Sequence, residues 1–144
     1  MIIMNSKEML TSVLHTVQMG QSGIKCVKDQ AVRSALKREL QKQLVEYDAM
    51  EAQARQLAKL NKWQIKDIHP GILKMADMMS KAQLLGGERD SKIAGMLIQG
   101  NTRGMILGMK NLRKGSKADP AVRELTQKLI SQERSSIEDT QRYL

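Results

Sequence analysis

The chain has no phenylalanine, and its aromatic side chains are limited to Tyr47, Trp63 and Tyr143. That excludes an aromatic platform for stacking single-stranded nucleic acid, and it leaves the core to Leu, Ile, Val, Ala and Met. A single cysteine, Cys26, excludes an intrachain disulfide and fits a reducing cytoplasm. No apolar run approaches the roughly 20 residues that a membrane-spanning helix needs. The stretch Met1-Ile2-Ile3-Met4 is too short for the core of a signal peptide. The expectation is a cytoplasmic protein with no membrane insertion. No alternating strand pattern, repeat or low-complexity segment is present, so the fold class is all-α.

The 144 residues suit one domain, 1–144, long enough to bury a core without disulfide or metal staples. The 11 methionines are read as flexible core filler. A soft-metal methionine site needs His or Cys beside it, and Met75, Met78 and Met79 have only His69 near them in sequence. The net charge is +9 and the isoelectric point about 9.9, which attracts anionic partners. The basic residues are dispersed, however. Even the denser groups, Lys110, Arg113, Lys114 and Lys117, and Arg33, Lys37, Arg38 and Lys42, read as solvated helix faces. Any binding of nucleic acid is expected to be weak and unspecific. Self-association is allowed, but no partner is indicated.

Four long helices are predicted. The first is capped by Asn5 with Glu8 three residues on, and its apolar stripe is Leu10, Val13, Val17, Gly20, Ile24 and Val27. The second starts at Asp29 as cap and runs to about Asn61, on the order of 45 Å. Its stripe is Val32, Leu36, Leu40, Gln43, Tyr47, Met50, Ala54 and Leu57. A loop over Trp63 to Pro70 leads to a short helix, reaching about Leu85, whose apolar face is Ile72, Met75, Ala76 and Met79. After the Gly86-Gly87 break, the third long helix runs from Asp90 or Ser91 to about Lys114. The fourth opens on Asp119 as cap and Pro120 as first residue, and carries Val122, Leu125, Leu129, Ile137 and Thr140 on one face. Short turns make the first pair and the last pair antiparallel hairpins. The long connection over 62–90 can cross the length of the bundle and set the second and third long helices parallel.

Two segments carry a resemblance. One is Leu-Lys-Arg-Glu-Leu-Gln-Lys-Gln-Leu-Val-Glu-Tyr over residues 36–47. The other is Ile-Ala-Gly-Met-Leu-Ile-Gln-Gly-Asn-Thr-Arg-Gly-Met-Ile over residues 93–106. With them the chain resembles the uncharacterised bacterial ferritin-like four-helix-bundle proteins. The resemblance implies a ferritin-like bundle with a long crossover and an ancestry shared with di-iron proteins, and no set activity.

A di-iron centre takes a Glu from each of two helices and Glu-x-x-His from the other two. His15 and His69 are the only histidines, and neither follows a Glu by three. The last helix has Glu133-Arg-Ser-Ser136 where such a motif would fit. A standard site for iron or manganese is therefore not expected, and no cofactor is. His15 lies opposite the apolar stripe and Cys26 off it, so both should be exposed.

Polar residues on core faces are more informative. Glu133 lies between Leu129 and Ile137, Gln43 between Leu40 and Tyr47, and Asn101 within the apolar face formed by Ile93, Leu97, Ile98, Met105 and Leu112. A buried carboxylate must be paired, hydrogen-bonded or protonated. Glu133, Gln43, Tyr47 and Asn101 are the expected buried polar network. Glu133 with Glu39 and Glu46, at the edge of the second helix's stripe, is the alternative: an atypical carboxylate metal or small-ligand site. Gly100, Gly104 and Gly108 recur every four residues and suggest close helix packing, with Gly20 as a complement. The functional expectation is a non-catalytic interaction or structural protein. The alternatives are a metal-dependent oxidoreductase and a weak binder of anionic partners.

Overall fold

In a computed structural model, residues 3–144 are described. Met1 and Ile2, half of the stretch read for a signal peptide, lie outside the described residues. Five α-helices follow one another: α1 (Ser6–Val27), α2 (Ser34–Leu60), α3 (Pro70–Gln83), α4 (Arg89–Lys114) and α5 (Pro120–Thr140), with short 3₁₀ turns at Lys28–Gln30 and Gln141–Tyr143. There is no strand among the described residues, and no helix is long and apolar enough to cross a membrane.

The helix starts follow local chemistry. Asn5 accepts from Glu8 N at 2.8 Å, and Asp119 accepts from Ala121 N at 2.9 Å with Pro120 as first residue, so each satisfies a backbone donor that the helix leaves over. His69 caps α3 by accepting from Gly71 N at 2.9 Å. The second helix is a correction. Asp29 falls in the 3₁₀ turn, and α2 begins only at Ser34 without a side-chain cap of its own. The turn leading into it is held from a distance: Asp90, in the first turn of α4, accepts from the two backbone amides that precede the helix, Val32 N at 2.7 Å and Arg33 N at 3.0 Å. Val32, placed on the core stripe, is 69% exposed because it precedes the helix.

Cross-links between elements fix the topology. Gln21 of α1 donates to Asp48 and Glu51 of α2. Ser12 of α1 accepts from Asn111 of α4 at 2.7 Å, and Met4 N donates to Lys114 O at 3.0 Å, so α4 ends where α1 begins. Lys42 pairs with Asp139 at 3.2 Å and Lys128 donates to Gln53 at 3.3 Å, so α5 runs against α2. Because α2 and α4 both run antiparallel to α1, they are parallel to each other. The connection between them travels along α1. His15 Nε2 donates to Lys66 O at 2.9 Å, Gln18 bonds Asp67 and Ile68, and Cys26 Sγ lies 3.8 Å from Asp77 O. The partners advance along α1 as the chain advances from Lys66 to Asp77.

That path corrects the first helix. His15 and Cys26 are not exposed; both are half-buried, because the face of α1 opposite its apolar stripe is covered by the crossing segment and α3. The wheel located one buried face correctly but could not know that a second one existed. The short helix is also rotated from expectation. Leu73, Ala76, Asp77 and Ser80 turn inward, whereas Ile72, Met75, Met78 and Met79 are exposed. α3 rests chiefly on α1, and that single contact decides its orientation over its apolar content.

The core joins Leu10, Val17 and Ile24 of α1 to Leu36, Leu40 and Met50 of α2, Ile93 of α4 and Leu129 of α5, all essentially inaccessible. Each such side chain contributes about 1.5–3 kcal/mol by leaving water.

Candidate functional site

α4 departs from the usual amphipathic pattern. Its buried residues are Ile93 and Ala94 near the start, then Asn101, Gly104, Gly108 and Asn111. The core face beyond its first two turns is thus small or polar. Leu97, Ile98, Met105 and Leu112 lie only partly buried on its flanks. Small residues let α5 approach closely: a Cβ on Gly108 would sit 2.7 Å from Ile130 Cγ1, and one on Gly104 would sit 2.6 Å from Glu133 Oε2. Gly20 serves a different neighbour from the one expected. Its missing side chain makes room for the Tyr47 ring, where a Cβ would come within 2.5 Å of Cε2. Gly100 is a further correction, since a Cβ there would meet nothing within 4 Å.

These vacancies admit a polar group at the centre of the molecule. Tyr47 from α2, Asn101 from α4 and Glu133 from α5 are 2%, 5% and 1% exposed. Tyr47 Oη hydrogen-bonds Glu133 Oε1 and lies 3.2 Å from Asn101 Oδ1. Burial pushes the Glu133 carboxyl up to about 7, against the opposing pull of the Tyr47 hydrogen bond. Burial, and next the Glu133 carboxylate, hold the Tyr47 hydroxyl well above its ordinary value. Asn101 Nδ2 has no hydrogen-bond partner, in a place where an unmet donor costs about 1–3 kcal/mol.

Gln43 does not join this group through a hydrogen bond. Its Nε2 donates to Glu39 Oε2 at 2.9 Å and Thr140 Oγ1 at 3.0 Å, tying α2 to α5. Glu39 and Glu46 remain half-buried at the edge of α2, and burial raises the Glu46 carboxyl above its usual range. The three carboxylates singled out as metal ligands are not brought together. Among the described residues no three or more His, Cys, Asp or Glu side chains form a group that could hold a metal ion. His69 is occupied as the cap of α3.

Above the polar group lies a cleft of ≈ 370 Å³ between α1, α3 and α4. Tyr47, Asn101 and Glu133 line its depth. Met19, Met79, Met96, Leu97 and Leu107 provide apolar walls and rim. Gly23 and Gly100 also line it, and a Cβ at either would meet nothing within 4 Å. Cys26 lines it too, its thiol pushed up to about 11 by burial first and then by Asp77; a thiol so placed is a poor nucleophile. The floor residues Tyr47, Asn101 and Glu133 were legible in the sequence, but the walls supplied by α1 and α3 were not, because they belong to the covered second face of α1 and to α3. A signal that could have marked these walls is the pair of glycines Gly23 and Gly100, inside helices where each costs about 1 kcal/mol relative to Ala. Compared with models of protein families, with curated proteins and with solved structures, the chain matches none.

Proposed function

We propose that the protein is a ferritin-like bundle that acts by binding rather than by catalysis, and that it holds a small, mostly apolar molecule in the cleft between α1, α3 and α4. The observation that carries this reading is the union of an apolar-walled cleft with a buried polar floor containing an unmet donor, Asn101 Nδ2. Small-molecule sites have this form: about 300–1,000 Å³, mainly apolar, with a few polar groups that orient the ligand. The parallel arrangement of α2 and α4, joined by a crossover along α1, supports the ferritin-like assignment. In place of four metal-binding carboxylates and two histidines, the centre of this bundle carries one carboxyl, a phenol and an amide.

The test uses a neutral naphthylamine fluorophore, which brightens on leaving water. Gly100→Leu and Gly23→Leu would fill the cleft from positions where a Cβ has open space. Each should fold at least as stably as the parent, because Gly is poorer in a helix by about 1 kcal/mol. Each should lose probe binding. Undiminished fluorescence in both variants, or none with the parent protein, would overturn the reading.

A further inference from the structure

The hydrogen atoms of the polar floor set a constraint that identifies the ligand more closely. Tyr47 Oη is within hydrogen-bonding distance of two acceptors, Glu133 Oε1 and Asn101 Oδ1, but has one hydrogen to donate. If Glu133 carries a proton, every bond is made. Glu133 donates to Tyr47, Tyr47 donates to Asn101 Oδ1, and the amide nitrogen is left as a donor. If Glu133 is ionised, Tyr47 must donate to it. Asn101 then turns its amide to donate to the phenol oxygen, and Oδ1 takes the place that Nδ2 held. Ionisation of one buried carboxyl thus switches the unmet amide group from donor to acceptor, and protonation switches it back.

We propose that the cleft binds an uncharged, apolar molecule bearing a carbonyl or similar acceptor, that this acceptor bonds Asn101 Nδ2, and that the molecule is taken up together with a proton on Glu133. This rests on the cleft being a binding site. The apolar body follows from the methionine and leucine walls, and Met adapts to varied shapes. The uncharged head follows from the floor, where an anion would be buried beside a carboxyl without a counter-charge. Other charged or titratable groups around the cleft are Cys26 on α1, Asp77 on α3 and Arg103 on α4, with Glu46 acting on Tyr47 from α2. None of them contributes to holding the Glu133 carboxyl near about 7, which burial accounts for.

Affinity for an acceptor-bearing ligand should therefore be constant in acid and fall as pH rises through Glu133's titration. The experiment measures displacement of the naphthylamine probe by octyl methyl ketone. Binding to the parent should weaken about tenfold between about pH 6 and about pH 8. Glu133→Gln places a permanent donor beside Tyr47, so it should bind the ketone about as tightly as the parent does in acid, with no pH dependence. Asn101→Leu should weaken the ketone about tenfold or more while still binding the probe. A pH-independent ketone affinity in the parent would overturn the proposal, as would tighter ketone binding at higher pH. Unchanged ketone affinity in Asn101→Leu would overturn it as well. In these cases, with probe still bound and displaced, the binding site itself stands. Absence of both probe and ketone binding removes the site and the proposal together.

Discussion

Among the described residues Glu133 is the one Asp or Glu side chain that is buried, and it has no positive partner; its energetics follow from that. Its ordinary value is near 4.5 and its folded value about 7, so between those limits the folded chain holds a proton that the unfolded chain has lost. The stability this contributes is fully present below about pH 4.5 and is lost as pH rises through about 7, on the order of 3 kcal/mol in all. Urea denaturation across this range should show the decline, and Glu133→Gln should abolish it, leaving that variant more stable than the parent at about pH 8. Glu133→Leu should instead cost about 1–3 kcal/mol in acid, because Tyr47 and Asn101 lose the group that completes their chain. The glycines give a second contrast. Gly20→Ala forces a Cβ onto the Tyr47 ring and should destabilise by about 1–3 kcal/mol, whereas Gly100→Ala should stabilise by up to about 1 kcal/mol. Thermal unfolding of the two variants separates a glycine that makes room for a neighbour from one that borders an open cleft.

Elements in this protein are finished by residues from other elements. Arg123, in the first turn of α5, donates to Leu112 O and Gly115 O at 2.8 and 2.7 Å and so closes the carboxyl end of α4. Asp90 holds the turn that leads into α2 by accepting from Val32 N and Arg33 N, and its ion pair with Arg33 at 3.9 Å adds little at the surface. Asp90→Ala should therefore cost about 1–3 kcal/mol, the range for losing hydrogen bonds from backbone amides to an ionised carboxylate. Asp29→Ala, at the position that local pattern nominates as the cap, should be nearly neutral. Denaturant midpoints of the two variants check the assignment; equal losses would show that the Asp90 bonds to the turn are not what holds the start of α2.

Across the whole molecule, the excess of positive charge is largely unneutralised. Among the described residues, ion pairs engage only Arg33, Lys42, Arg55 and Lys81 of the 24 lysines and arginines. Dispersed cations of this kind release counterions from a polyanion without reading its bases. Duplex DNA of any sequence should bind weakly at low salt and dissociate as salt rises. Sequence-selective binding that persists in high salt would contradict this.

The division between sequence and tertiary structure runs through particular residues. Asn5, Pro70, Asp119 and Pro120 act through bonds and dihedral angles close to them in the chain, so the sequence alone determined where α1, α3 and α5 begin. It also determined a buried stripe on α1, α2 and α5 and the inward position of Glu133, Tyr47 and Asn101, because helical periodicity is a local property; on α4 it placed Leu97, Ile98, Met105 and Leu112 inward, where the structure buries Gly104, Gly108 and Asn111 instead. It could not determine that the crossing segment lies along α1, which half-buries His15 and Cys26 and turns α3 with its methionines outward. Nor could it show that Gly20 faces Tyr47, that Gln43 bonds Thr140 instead of Glu133, or that Gly23 and Gly100 border the same cleft. Those facts depend on which helix lies against which, and packing between segments distant in the chain is settled only when all of them compete for the same core.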